Sequence, residues 1–153
     1  MKIGIMLMSD RGPDGQPTDW RKFLGTCKEH GLEAVDLFDM MLRNVGETVT
    51  GVKRLLDDLG LEPSIYCVPT DLISPDPETR RQSLDTIRSG IDACHELGIY
   101  QLFSHGGQHN NEGEEALMRY VDGLGQAADL AAEAGLTFSI ENAGRMCHTH
   151  TEL

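Results

Sequence analysis

Positive charge is what this chain has least of. Its 153 residues carry 13 Lys and Arg against 25 Asp and Glu, a formal net charge of −12. Such a surface repels a phosphate backbone, which argues against nucleic-acid binding through bulk electrostatics. A phosphorylated small molecule remains allowed, because one Arg or a bound cation inverts the field locally. The plainer reading of the charge is solubility. No Cys-x-x-Cys pair occurs among Cys27, Cys67, Cys94 and Cys147, so neither a zinc knuckle nor a thioredoxin-like centre is indicated. An even count is no sign of disulfides by itself, and the four read as reduced thiols of a cytoplasmic protein. Long apolar runs are missing too. Only six apolar or Gly residues, 3–8, separate Lys2 from Ser9-Asp10, too few for a signal peptide, and no stretch approaches a membrane span. Low-complexity segments and linkers are absent, and aromatics are few, whereas aliphatic content is ordinary. At this length the chain reads as one domain, 1–153, large enough to bury a core.

What the chain does have is a recurring junction. Four times a helix-like stretch runs into Gly-Leu or Gly-Ile and then a short apolar strand: at Gly31-Leu32, Gly60-Leu61, Gly98-Ile99 and Gly135-Leu136. A glycine just past a helix end takes the left-handed conformation at little cost, and the strand follows. The unit is βα, so the sheet is expected to be parallel and the class α/β, with about five strands and four helices. The strands are expected at 2–8, 34–38, 64–68, 100–104 and 136–140. They read as short apolar runs without strict alternation, as when helices cover both faces of a parallel sheet. The first helix starts near Thr18 or Asp19 and carries the stripe Trp20, Phe23, Leu24, Cys27. The second carries Val49, Val52, Leu55, Leu56 and Leu59. The third follows the start signal Ser74-Pro75-Asp76-Pro77, and the fourth runs over about 112–133 with Leu117, Tyr120, Val121, Leu124 and Ala128 inward.

In folds of this kind chemistry sits at the carboxyl ends of the strands. Those ends carry Asp10, Asp39, Asp71, His105 and Glu141 in chain order. Glu141 is the most pointed of them. A carboxylate directly after Leu-Thr-Phe-Ser-Ile stands at the mouth of an apolar sheet and needs a cation or hydrogen bonds to offset its desolvation. A divalent metal is one answer, and a nearby Arg or Lys the plainer one. His105, before Gly106-Gly107, reads as a substrate-contacting residue or as a loop histidine with one hydrogen bond. His148-Thr149-His150 has a metal-gripping spacing but also suits a solvated loop. The three aspartates are ordinary turn and cap residues.

Taken together, Lys2-Ile3-Gly4-Ile5, the run from Gly31 to Phe38, Arg80 through Leu97-Gly98, Ser104-His105-Gly106-Gly107 and Ile140-Glu141-Asn142 resemble the N-terminal half of the sugar-phosphate isomerase/epimerase family. This is the xylose isomerase-like (β/α)8 barrel group, to which endonuclease IV is also related. The resemblance covers the whole chain and implies an incomplete TIM barrel. It implies one divalent cation (Mn, Mg, Co or Zn) at the carboxyl mouth, held by Glu, Asp, His and Glu from strands five to eight, with Glu141 as the first ligand and also a catalytic group. It further implies His105 and Asn142 against a sugar substrate. The implied chemistry is proton transfer beside a carbonyl, with the cation stabilising the enediolate charge; some members move a hydride instead.

Other readings compete. An endonuclease IV-like repair protein would want a basic groove and more His ligands on early strands, against the −12 charge. A receiver-like domain needs a Lys after strand five, where Glu141 stands, and a closing helix. A non-catalytic half-barrel is the remaining alternative. Eight βα units need about 250 residues. The expectation is therefore that these residues belong to a longer chain or self-associate through open sheet edges. They are expected to be inactive alone, because one ligand cannot hold the ion.

Overall fold

The computed structural model describes residues 2–8, 11–12, 14–105 and 113–141. They form a single parallel sheet in the order β1-β2-β3-β4-β5. The strands are β1 (Gly4–Met6), β2 (Ala34–Phe38), β3 (Glu62–Val68), β4 (Gln101–His105) and β5 (Thr137–Glu141). The helices are α1 (Trp20–Glu29), α2 (Asp39–Asn44), α3 (Val49–Leu59), α4 (Pro77–Leu97) and α5 (Glu114–Glu133). Every strand pairs with its neighbour in sequence, and among the described residues β1 and β5 are edges. No described helix is long and apolar enough to cross a membrane.

The junction glycines behave as their positions require. Gly60 and Gly98 sit at φ 64° and 72°, and the next residues, Leu61 and Ile99, donate back to Leu56 and Cys94 at 3.0 and 2.9 Å. The orphan carbonyls at the end of α3 and α4 are thereby satisfied and the chain turns into the next strand. The helix starts are capped by side chains: Asp19, Thr48 and Asp76 accept from Lys22, Gly51 and Glu78 backbone N–H groups at 3.0, 3.0 and 3.1 Å.

Three expectations need correction. Among the described residues there are five helices, not four. The additional one, α2, is only six residues long, too short to show a period, and begins on the residue after β2 with Asp39 paired to Arg43 one turn on at 2.7 Å. The fourth and fifth strands run one residue further than expected, so His105 and Glu141 are strand residues. The buried face of α5 is Ala116, Tyr120, Gly123, Ala127 and Ala131, and Val121 is 55% exposed. The close contact on that face is made by Gly123, where a Cβ would lie 2.9 Å from Leu72 Cβ in the loop after β3.

The sheet has two distinct faces. Val35, Leu37, Tyr66, Val68 and Leu102 belong to the main core beneath the helices. The approach there is close: a Cβ on Gly90 of α4 would lie 2.8 Å from Val68 Cγ1 and 2.9 Å from Leu102 Cδ1. Phe38 and Cys67 are buried but do not belong to that core. They lie on the opposite face, with Phe103 and His105, because Phe38 registers with Cys67, and Cys67 with Phe103.

Candidate active site

His105 and Glu141 occupy equivalent positions at the carboxyl ends of adjacent strands, as the last register pair of the β4–β5 ladder. Directly opposed residues in a parallel ladder point to the same face, so both side chains rise at the mouth. His105 Nδ1 lies 3.2 Å from Glu141 Oε2, with the histidine side chain 22% and the glutamate 52% exposed. The N–H is not aimed at the oxygen, and Nδ1 makes no hydrogen bond among the described residues, so the contact is an electrostatic pairing. On the other side of the ring, Nε2 meets Cys67 Sγ at 3.9 Å. The imidazole is held edge-on to Phe103, at 5.3 Å and 84°, and tilted against Phe38 at 5.7 Å and 35°. Aromatic packing on two sides fixes where the ring points.

The surroundings of this pair are acidic. Burial pushes the Cys67 thiol up to about 12, with Glu141, Asp39 and Asp36 opposing its ionisation further. A thiol so held is a hydrogen-bond donor and no nucleophile at neutral pH. Asp36 accepts from the Ser64 hydroxyl. Asp39 is occupied twice, by Arg43 and by the Tyr66 hydroxyl, which donates at 2.9 Å. The Tyr66 phenol is raised by burial and then by that carboxylate. Asp39 therefore anchors α2 to β3, the plain role of a turn aspartate.

The remaining expected positions divide simply. The Asp71 backbone N–H donates to Ser83 Oγ at 2.8 Å in the loop after β3. Asn142, Asp10, Gly106, Gly107, His148 and His150 lie outside the described residues. Among the described residues no three His, Cys, Asp or Glu groups converge as a metal site. Glu141 is a donor of the right kind for a hard divalent cation, and His105 stands beside it, but these two do not complete a coordination sphere. A cleft of about 830 Å³ opens elsewhere, along β1 and α1, lined by residues such as Met8, Arg11, Lys22 and Phe23. It contains neither Glu141 nor His105, and the chemistry argues for the mouth as the site.

No motif or spacing marks Phe38, Phe103 and Cys67 as neighbours at this mouth. The only signal for them is strand register, which is a property of pairing between segments.

Comparison with known proteins agrees with this fold. A family model described as xylose isomerase-like TIM barrel matches residues 24–153. A protein called probable endonuclease 4, from Cenarchaeum symbiosum (strain A), is 34% identical over 95 residues, covering 59% of this chain and 33% of that protein. Among solved structures, a D-allulose 3-epimerase from Methylomonas sp. superposes with a TM-score of 0.75 at 20% identity, over 99% of this chain and 56% of that one. A sugar phosphate isomerase/epimerase from Parabacteroides distasonis superposes with a TM-score of 0.70 at 17% identity, over 91% and 50%. The chain thus spans about half the length of these structures and a third of the endonuclease relative.

Proposed function

This chain belongs to the xylose isomerase-like TIM barrel family, and from that premise we propose that its mouth takes part in metal-dependent isomerisation or epimerisation of a sugar or sugar phosphate. The observation that carries the reading is Glu141: a half-exposed carboxylate at the carboxyl end of β5, paired with a packed histidine and turned to the face away from the helix-covered core. In this reading Glu141 is both a cation ligand and the group that moves the proton. The ligands that complete the sphere come from outside the described residues. A divalent cation there supplies charge stabilisation for the carbonyl and hydroxyl oxygens of the sugar.

The protein's own residues do the rest. The Glu141 carboxylate takes the proton from the carbon beside the carbonyl. Protonation of the other face of that carbon by a second acid, from outside the described residues, epimerises the sugar, and return of the proton by Glu141 to the neighbouring carbon isomerises it; positioned carboxylates contribute about 10²- to 10⁴-fold to such steps. His105, together with Asn142, contacts the sugar and orders the mouth. Phe38 and Phe103 form an apolar wall that keeps the ring in place.

Glu141→Gln tests the reading. Mn²⁺ titrated calorimetrically into the complete protein is expected to bind before the substitution and not after it, with the melting temperature little changed. Exchange of a sugar C–H for deuterium in D₂O is expected to be lost with it. A large fall in stability with metal binding retained would make Glu141 a structural ion-pair partner instead.

The endonuclease relative supports a second reading, cleavage of damaged DNA. Against it stands the net charge of −12, which opposes approach to a polyanion. Cleavage of an oligonucleotide carrying an abasic site, with no sugar exchange, would reverse the order of the two.

A further inference from the structure

Helix α5 is apolar on two sides. Its buried side is Ala116, Tyr120, Gly123, Ala127 and Ala131. On the opposite side Met118 and Val121 are 63% and 55% exposed, and Ala128 and Ala132 continue their line within about 80° of helix rotation. A helix on the surface of a domain normally turns a polar face to water, so a second apolar side marks a contact surface. Acids flank it: α5 carries Glu114, Glu115, Asp122, Asp129 and Glu133 against one base, Arg119. At the other end of the sheet lies the cleft of about 830 Å³ along β1 and α1, with Met6, Met8 and Phe23 in its lining. We propose that the two are halves of one contact: the Met118–Val121 ridge of one copy of this chain seats in the β1–α1 cleft of a second copy.

Charge decides which surface the ridge meets. Two α5 ridges packed on each other would set the acids of one helix against those of the other at close range. The cleft offers the opposite sign. Among the described helices α1 alone has more bases than acids, Arg21, Lys22 and Lys28 against Glu29. Arg21 is held by Asp58 at 3.1 Å and Lys28 by the Gly60 carbonyl at 2.6 Å, both toward α3. Lys22 lines the cleft, and no described group partners its ammonium. Arg11 lines it as well, and the two acids there, Asp14 and Asp19, accept the backbone N–H groups of Gln16 and Lys22. A chain of net charge −12 repels its own copies at long range, so what brings two together is local opposite charge with apolar burial. Ridge and cleft sit at opposite ends of one sheet, on the β5 side and the β1 side. Each copy therefore holds one of each, and two such contacts close a pair about a twofold axis. Neither surface includes Glu141 or His105, so the inference stands apart from the reading of the mouth.

Sedimentation equilibrium of the protein, up to millimolar concentration, is the test. A reversible monomer–dimer equilibrium is expected. Val121→Asp on the ridge and Met8→Asp in the cleft, where Met8 is 56% exposed, are each expected to weaken association by about 10-fold or more. Lys22→Gln is expected to weaken it about two- to fivefold, while Lys53→Gln, the same charge change on α3, leaves it unchanged. Val121, Met8 and Lys22 are exposed, so in dilute solution these variants are expected to melt with the parent. The decisive sample is a mixture of Val121→Asp and Met8→Asp. Each associates poorly alone, but the intact ridge of the second meets the intact cleft of the first, and a heterodimer is expected. A protein that stays monomeric at millimolar concentration overturns the proposal. So does association that either substitution leaves intact, or a mixture no heavier than its two components.

Discussion

Two glycines two residues apart in α5, on different sides of the helix, are expected to respond to the same substitution with opposite sign. A Cβ built on Gly123 would lie 2.9 Å from Leu72 Cβ and 3.3 Å from its Cδ2, whereas one built on Gly125 meets nothing within 4 Å. Both lie inside the helix Glu114–Glu133, where Ala is favoured over Gly by about 1 kcal/mol. For Gly125→Ala that gain stands alone, so stability rises by about 0.5–1 kcal/mol, or roughly 2–4 °C per kcal/mol in melting temperature at this chain length. For Gly123→Ala it is opposed by overpacking, which costs about 1–3 kcal/mol. The upper part of that range applies because the clashing atom is a Cβ, fixed to the backbone, and the backbone is pinned. Asp71 N–H donates to Ser83 Oγ at 2.8 Å, Arg80 Nη1 to the Ser74 carbonyl at 2.5 Å and Arg119 Nε to the Ile73 carbonyl at 3.2 Å. The net expectation is a loss of about 1–2 kcal/mol. Urea unfolding followed by circular dichroism reads both variants, with the midpoint moving and the slope unchanged. A Gly123→Ala protein as stable as the parent would show that the loop after β3 yields, and the account of α5 docking would be wrong. The loop matters to the site because Thr70 Oγ1 lies 2.7 Å from Ser104 Oγ, one residue before His105.

Alkali is expected to destabilise the fold through its buried thiols. Cys67 and Cys94 are both pushed up to about 12 by burial, from 9.0 when exposed, so the folded state keeps protons that the unfolded chain releases. The sign follows: this contribution is fully present below about pH 9 and is lost as pH rises toward 12. Urea midpoints are expected to fall across that range, with a shallower fall in Cys67→Ser; thiolate absorbance appearing near pH 9 in folded protein would contradict it. At the start of α1, Asp19→Ala removes the cap on Lys22 N–H and is expected to cost about 1 kcal/mol in the same urea assay, while Asp19→Asn is expected to be close to neutral.

How much of this was legible depends on what each residue's position rests on. The order of the sheet was readable because each junction glycine is a local requirement: a helix end needs a left-handed residue wherever the chain must turn back into a strand. The mouth as the place for Glu141 and His105 was readable for the same reason, since it needs only the strand ends. Whether the two meet was not, because that depends on where β4 and β5 stop pairing, and their ladder runs through His105 and Glu141 themselves. The composition of the mouth was less legible still, and one irregularity accounts for most of it. Between β2 and β3 the register slips: Val35 pairs with Pro63 but Leu37 with Tyr66, so Ser64 and Ile65 both stand opposite Asp36. Strict alternation from Glu62 would have sent Tyr66 to the mouth and Cys67 under the helices. The extra residue reverses every side chain beyond it. Tyr66 turns inward to donate to Asp39, and Cys67 turns to the mouth to meet His105. A bulge leaves no mark in the periodicity of a seven-residue strand, so a thiol that reads as an incidental core residue becomes a neighbour of the candidate catalytic pair.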